Sequence, residues 1–133
     1  MASVLLDTHI LVWWRSDVGR LSRAQAEALS DLDKRGEPVA ISAITLRELA
    51  SLGDRGLLEI AIPWTAWLEE IESSPLIDVL PLTARIASES VRLGADFPKD
   101  PADQIIVATA VCHDLRLLTA DRQIRRCGKV PVI

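Results

Sequence analysis

Short apolar runs alternate along this chain with longer amphipathic stretches, and this alternation constrains the fold more than any other feature. The runs are SVLL at 3–6, VAIS at 39–42, IDVL at 77–80 and RLLT at 116–119, with VPVI at the end. A strand with one wet face alternates apolar and polar residues. A nearly continuous apolar run of four suits a strand covered on both faces. The stretches between the runs are long enough to hold a crossover helix each. Strand–helix alternation of this kind predicts a parallel sheet with helices on both faces, a three-layer α/β/α sandwich. No linker, repeat or low-complexity stretch interrupts it, so residues 1–133 read as a single domain.

The helices carry their own punctuation. Residues 8–14 start a short helix. Ser22 caps SRAQAEALSDLDKRG, which ends with Gly36 just past its last turn. TLRELASLGDRG follows the second strand, with Ile44, Leu46, Leu49 and Leu52 at roughly helical spacing. Pro63 opens PWTAWLEEIESS, and TARIASESVRLGA follows the third strand. The best-marked helix is KDPADQIIVATAVCHDL, with Asp100 at the N-cap, Pro101 at the first helical position and Asp103 at the third. DRQIRRC forms a short helix, and VPVI is predicted to be a last strand.

In doubly covered parallel sheets, ligands bind outside the carboxyl ends of the strands. Four acids fall at that edge. Asp7 ends the first strand, and Glu48 lies in the first turns of the helix after the second. Asp103 lies in the first turn of the helix before the fourth strand, and Asp121 follows that strand. Four carboxylates gathered together repel, and a bound cation makes them tolerable. Oxygen-only donors suit hard metals, Mg²⁺ or Mn²⁺. The absence of a matching Cys/His set argues against zinc. Each acid also has a structural reading. Asp7 and Asp121 fit turn or helix caps, Glu48 beside Arg47 fits a solvated helix face, and Asp103 suits a helix dipole. Thr8, Ser42 and Thr119 end strands at the same edge. Each is a candidate to bond an acid or a metal-bound water, or to cap the next helix. Asp100 has the same choice between capping and a place beside the metal. His9 is a candidate proton donor or a polar surface residue, and His113 suits the end of its helix.

"VLLDTHILVW", "ISAITLRELA", "DPADQIIVATA" and "LLTAD", in this order, resemble the four motifs of the PIN-domain ribonucleases, and in particular the VapC-type toxins of bacterial toxin–antitoxin pairs. The resemblance covers nearly the whole chain and supplies Asp7, Glu48, Asp103 and Asp121 as its four acids. It implies a Rossmann-like α/β/α fold and a Mg²⁺- or Mn²⁺-dependent endoribonuclease, in which the four acids hold the metal that orients and deprotonates the attacking water. It also implies a homodimer and a small VapB-type antitoxin whose tail lies in a groove near the acids. One departure is visible. The family often has Asp-Arg in the third motif, where this chain has Asp103-Gln104. Gln104 keeps a hydrogen-bonding group but not the charge.

The bulk numbers agree with such an enzyme. The net charge of −4 argues against a protein that coats nucleic acid, whose affinity comes from neutralised phosphates. A site of carboxylates loaded with metal nonetheless attracts phosphate. Hydrophobic residues make up 49% of the 133, enough for a core, and no run approaches the ~20 apolar residues of a membrane span. With no leader-like N-terminus and two cysteines at no ligand spacing, a cytoplasmic protein with reduced thiols is expected. Basic residues cluster locally at Arg122, Arg125, Arg126 and Lys129. With Arg47 they are candidates to hold RNA phosphates, or an ordinary solvated surface. Trp13 and Trp14 are consecutive and cannot both face one core. Trp64 and Trp67 share a helix face. Together they suit core packing, an apolar surface for a partner tail or a second copy, or the stacking of RNA bases.

Three other classes fit less well. A receiver-like signalling module expects adjacent acids after the first strand, an Asp after the third and a Lys after the fifth. Asp7 has no acidic neighbour, and the third strand runs into LPLT. A phosphatase that opens with two aspartates two residues apart meets His9 at the second position. A PIN-like module that binds Mg²⁺ and partners without cutting would have lost an acid, and none is lost.

Overall fold

The computed structural model describes residues 1–133. Four strands, β1 (Val4–Leu6), β2 (Val39–Ser42), β3 (Ile77–Leu80) and β4 (Arg116–Leu118), form one sheet in the order β3-β2-β1-β4, parallel throughout. Seven helices surround it: α1 (Thr8–Ser16), α2 (Arg23–Lys34), α3 (Ala43–Asp54), α4 (Trp64–Ser73), α5 (Ala84–Val91), α6 (Pro101–Cys112) and α7 (Arg122–Cys127).

The apolar runs feed two cores because successive side chains of a strand point to opposite faces. Val4 and Leu6 of β1, Val39 and Ile41 of β2 and Leu118 of β4 join Ile10, Leu11, Leu29, Leu32, Leu49, Trp67 and Ile71 from α1 to α4. Leu5, Ala40 and Leu117 face the other way, against Ile106, Val107 and Ala110 of α6 and Ile124 of α7. This is the predicted three-layer sandwich. A fully buried leucine contributes about 1.5–3 kcal/mol, so a strand residue facing water instead of either core would be costly.

Most predicted ends hold. Ser22 caps α2 in a reciprocal capping box with Gln25, and Gly36 follows in the left-handed conformation at φ 65°. Asp100, Pro101 and Asp103 occupy their predicted places at the start of α6. Four details differ. Pro63 stands at the N-cap of α4, one residue outside the helix, where its missing N–H costs nothing. β4 ends at Leu118, because Thr119 turns its groups toward the chain end and Asp7. VPVI makes only one bridge, Leu117 with Val132, since Pro131 has no N–H to extend a ladder. A short 3-10 turn at Val18–Arg20 was not anticipated.

The strand order places the site. From β1 the chain moves outward through β2 to β3, then returns to pair β4 on the other side of β1. The crevice where the order reverses therefore opens between β1 and β4. Leu6 pairs with Leu118, so Asp7 and Thr119 emerge side by side there.

Candidate metal centre

Asp7 is the N-cap of α1 and is only 7% exposed. Its two oxygens are both engaged. Oδ1 accepts from the Thr8 amide at 2.8 Å, and Oδ2 accepts from the Thr119 hydroxyl at 2.7 Å. The Thr8 hydroxyl in turn donates to Glu48 Oε1 at 2.5 Å and lies 3.1 Å from the hydroxyl of Thr45. Glu48 reaches this point because it sits one turn beyond Thr45 on the same face of α3. A row thus runs Thr119–Asp7–Thr8–Glu48, from the ends of β4 and β1 to helix α3.

Asp121 caps α7, its Oδ1 accepting from the amides of Gln123 and Ile124 at 2.8 and 3.2 Å. Its own amide donates to the Thr119 hydroxyl at 3.0 Å, so Thr119 bridges two of the acids. Asp103 stands in the first turn of α6, half-buried. Burial raises its carboxyl to about pKa 7, reinforced by the negative charges of Asp7, Asp100, Asp121 and Glu48. Burial also raises Asp7, against the hydrogen bonds from Thr119 and Thr8, which favour its charged form. Glu48 is raised for the same reason and is similarly supported by Thr8. The four acids therefore feel one another, and no cationic side chain pairs with any of them within salt-bridge distance.

An all-oxygen, multiply anionic donor set of this kind fits a hard divalent cation. No three of the His, Cys, Asp and Glu side chains form a preformed cage. The two observations agree physically. Repulsion holds carboxylates apart unless a cation draws them in, and Asp7 has its oxygens committed to hydrogen bonds.

The other candidates divide. Thr8 and Thr119 touch the acids directly, whereas Ser42 uses its oxygen to cap α3 through the Ile44 amide. Asp100 accepts from the Ala102 amide as the N-cap of α6, and its charge still acts on Asp103. Gln104 donates to the carbonyl oxygen of Pro98 at 3.1 Å, fixing the loop before α6. Arg47 and Arg122 are exposed. Arg125 is exposed, but one of its nitrogens is already engaged. Its Nη2 donates to the carbonyl oxygens of Thr119 at 2.6 Å and Ile133 at 2.8 Å. His9 lies near Asp7 and Glu48, its charge favouring their ionised forms, and its ring stands 6.1 Å from that of Trp13. His113 caps the end of α6, away from the row. Of the four tryptophans only Trp67 is buried. Trp13 and Trp14 lie half-buried under Arg20 and Arg15.

Two residues with a part in the site escaped the sequence. Thr45 is fully buried and completes the hydrogen bonding of Thr8. Its signal was the spacing Thr45-x-x-Glu48, which puts both on one helix face. Gln25 is buried in α2 and donates to the carbonyl oxygens of Thr119 and Ile133. Its signal was a polar residue on the stripe of Leu29 and Leu32.

Beside Asp103 opens a cleft of about 790 Å³, between the loop that joins α5 to α6 and the α7 segment. Lys99, Arg126 and Lys129 line it together with Asp96, Asp100 and Asp103. None of these cations forms a salt bridge.

Residues 4–130 match the family model of the PIN domain. Ribonuclease VapC22 of Mycobacterium tuberculosis is 38% identical over 125 residues, covering 94% of this chain and 92% of that protein. Among solved structures, VapBC2 of Rickettsia felis bound to a promoter DNA fragment superposes with a TM-score of 0.72 at 18% identity, covering 98% of this chain and 96% of that one. FitAcB of Neisseria gonorrhoeae does so with a TM-score of 0.67 at 25% identity, over 98% and 96%. DNA-bound VapBC of Salmonella typhimurium gives 0.71 at 22% identity, over 100% and 98%.

Proposed function

The chain belongs to the PIN-domain family, and from that premise we propose that it is an endoribonuclease and the toxin of a VapBC-type toxin–antitoxin pair. The observation that carries the reading is the hydrogen-bonded row Thr119–Asp7–Thr8–Glu48 at the switch point between β1 and β4. Asp7, Glu48, Asp103 and Asp121 would hold Mg²⁺ or Mn²⁺. When bound, such an ion stabilises the charge of a phosphodiester in transition and makes water a better nucleophile. Thr8 and Thr119 orient the carboxylates that do the holding. The unpaired Lys99, Arg126 and Lys129 supply the cleft next to Asp103 with positive charge for the flanking phosphates of an RNA strand. Exposed Arg122 and Arg47 are further candidates to meet phosphate.

A small VapB-type antitoxin is the expected partner, by analogy with the complexes that share this fold. Half-buried Trp13, Trp14 and Trp64, with exposed Val18, Leu57 and Ile62, leave apolar surface for such a partner or for a second copy in a homodimer. No helix is long and apolar enough to cross a membrane.

The test is cleavage of total bacterial RNA by antitoxin-free protein, with Mg²⁺ or Mn²⁺ and with chelator, wild type beside Asp7→Asn. Discrete, metal-dependent products lost in the variant would support the nuclease and identify its target. A folded, metal-loaded wild type that cuts no RNA in that pool would count against it.

A further inference from the structure

Thr119 is held from behind as firmly as it holds Asp7 in front. Its carbonyl oxygen accepts from Gln25 Nε2 at 3.1 Å and from Arg125 Nη2 at 2.6 Å. The same two nitrogens reach the Ile133 carbonyl oxygen, at 3.1 and 2.8 Å, and that oxygen also accepts from the Thr119 amide at 3.4 Å. In front, the Thr119 hydroxyl donates to Asp7 and accepts from the Asp121 amide. Building on the metal-site reading above, we infer that Gln25 and Arg125 are positioning residues for the metal centre, acting through Thr119.

Three features support this. Thr119 lies one residue beyond the end of β4, where the ladder no longer holds the backbone. A β-branched side chain has few rotamers, so fixing its backbone fixes its hydroxyl. The clamp is thus what aims the hydroxyl at Asp7 Oδ2. Next, Gln25 occupies a core-facing place on α2 and is 2% exposed. Leucine would fill that place without the desolvation cost of an amide. The amide is fully used instead, with Oε1 closing the capping box on the Ser22 amide at 3.0 Å and Nε2 on the two carbonyls. Finally, the donors come from separate elements, α2 and α7, yet converge on the same pair of oxygens. The planar guanidinium of Arg125, donating through Nη2 alone, and the capped Gln25 amide are both held donors. Hydrogen-bonding partners behind metal ligands typically change metal affinity about 10- to 100-fold when removed.

A merely structural role, pinning residues 130–133 to β4, predicts lost stability alone. Mn²⁺ binding to the full chain, by calorimetry, separates the two, with thermal melts and circular dichroism alongside. Thr119→Val should weaken Mn²⁺ binding about tenfold while Thr119→Ser retains it. Gln25→Met and Arg125→Met each leave one donor, and each should weaken binding about two- to threefold. Together they should approach the loss of Thr119→Val. Each of these losses should vanish when made in the Thr119→Val background, because the path is already cut. If the double clamp variant does not fold, the two single variants in both backgrounds carry the same comparison. Wild-type Mn²⁺ affinity in folded clamp variants, or losses that add fully to Thr119→Val, would overturn the inference and leave the metal site standing. No Mn²⁺ binding by the wild type would overturn both.

Discussion

The hydroxyl of Thr119 donates to the carboxylate of Asp7 at 2.7 Å, joining residues 112 apart in the chain. The parallel register of Leu6 with Leu118 makes this contact possible, since it brings the two strand ends level. It makes Asp7 a held group rather than a mobile one. Asp7→Asn tests what that holding serves. One amide oxygen can accept from Thr8 or from Thr119, but not from both as Asp7 does. Removing a buried charge offsets that loss. The melting temperature should stay within a few degrees of wild type while RNA cleavage falls below detection. Retained cleavage in a folded Asp7→Asn protein would remove Asp7 from the site.

Asp103 predicts a pH dependence. Its folded carboxyl titrates near pKa 7, above the ordinary 3.8, so the folded state binds this proton more tightly than the unfolded chain. Below about pH 4 the group costs the fold nothing. The penalty grows as pH rises and is complete above about pH 7. The metal-free protein should therefore melt lower at pH 8 than at pH 5. Asp103→Asn should flatten that fall and raise the melting temperature at pH 8 by a few degrees, while abolishing cleavage. Melting curves in chelator across this range are the check, and parallel curves for variant and wild type would refute it.

Thr8 holds Glu48 and satisfies Thr45. Thr8→Val is nearly isosteric but strips the donor from Glu48 and leaves the buried Thr45 hydroxyl without its partner. The expected cost is about 1–3 kcal/mol in urea unfolding, together with a higher metal concentration for half-maximal cleavage. Thr8→Ser should restore most of both. An unchanged metal requirement in Thr8→Val would mean that the hydroxyl does not serve Glu48.

Gly53, near the end of α3, lets α4 approach. A Cβ built there would stand 2.4 Å from Trp64 Cγ and 2.6 Å from Trp64 Cβ, so the tryptophan must move. Gly53→Ala should destabilise by about 1–3 kcal/mol, as overpacked sites do, despite the better helix propensity of alanine. Cleavage at low temperature should be unaffected, because the site is built elsewhere. A variant as stable as wild type in a denaturant titration would show that the two helices part freely.

The cleft charges should act on binding and not on the chemical step. Arg126→Glu with Lys129→Glu should raise KM for an RNA oligonucleotide several-fold, leave kcat near wild type and flatten the salt dependence by about two phosphate contacts. A drop confined to kcat would place these residues in the reaction itself.

The local levels were legible in the sequence because they rest on local physics. Nearly continuous apolar runs marked β1 to β4, since a strand covered on both faces carries few polar residues; Asp78 sits in the half-buried edge strand β3 and Arg116 at the exposed start of β4. Ser22, Asp100 and Pro101 marked helix starts, because an orphan amide or a missing N–H is settled within one turn. The four acids were legible as strand-end and helix-start residues. What the tertiary structure alone decided was which neighbours those groups have. The Thr119 hydroxyl faces Asp7 because β4 pairs with β1, and no local pattern states a strand order. Arg125 reads as a solvated cation by sequence, yet it is spent on two carbonyls, because β4 stops at Leu118 and leaves those oxygens to be satisfied. Gln25 reads as a polar intrusion in an apolar stripe, and only the fold supplies the carbonyls of Thr119 and Ile133 that repay its burial. Long-range hydrogen bonds of this kind depend on where distant backbone ends up, and that is set by packing of the whole sheet.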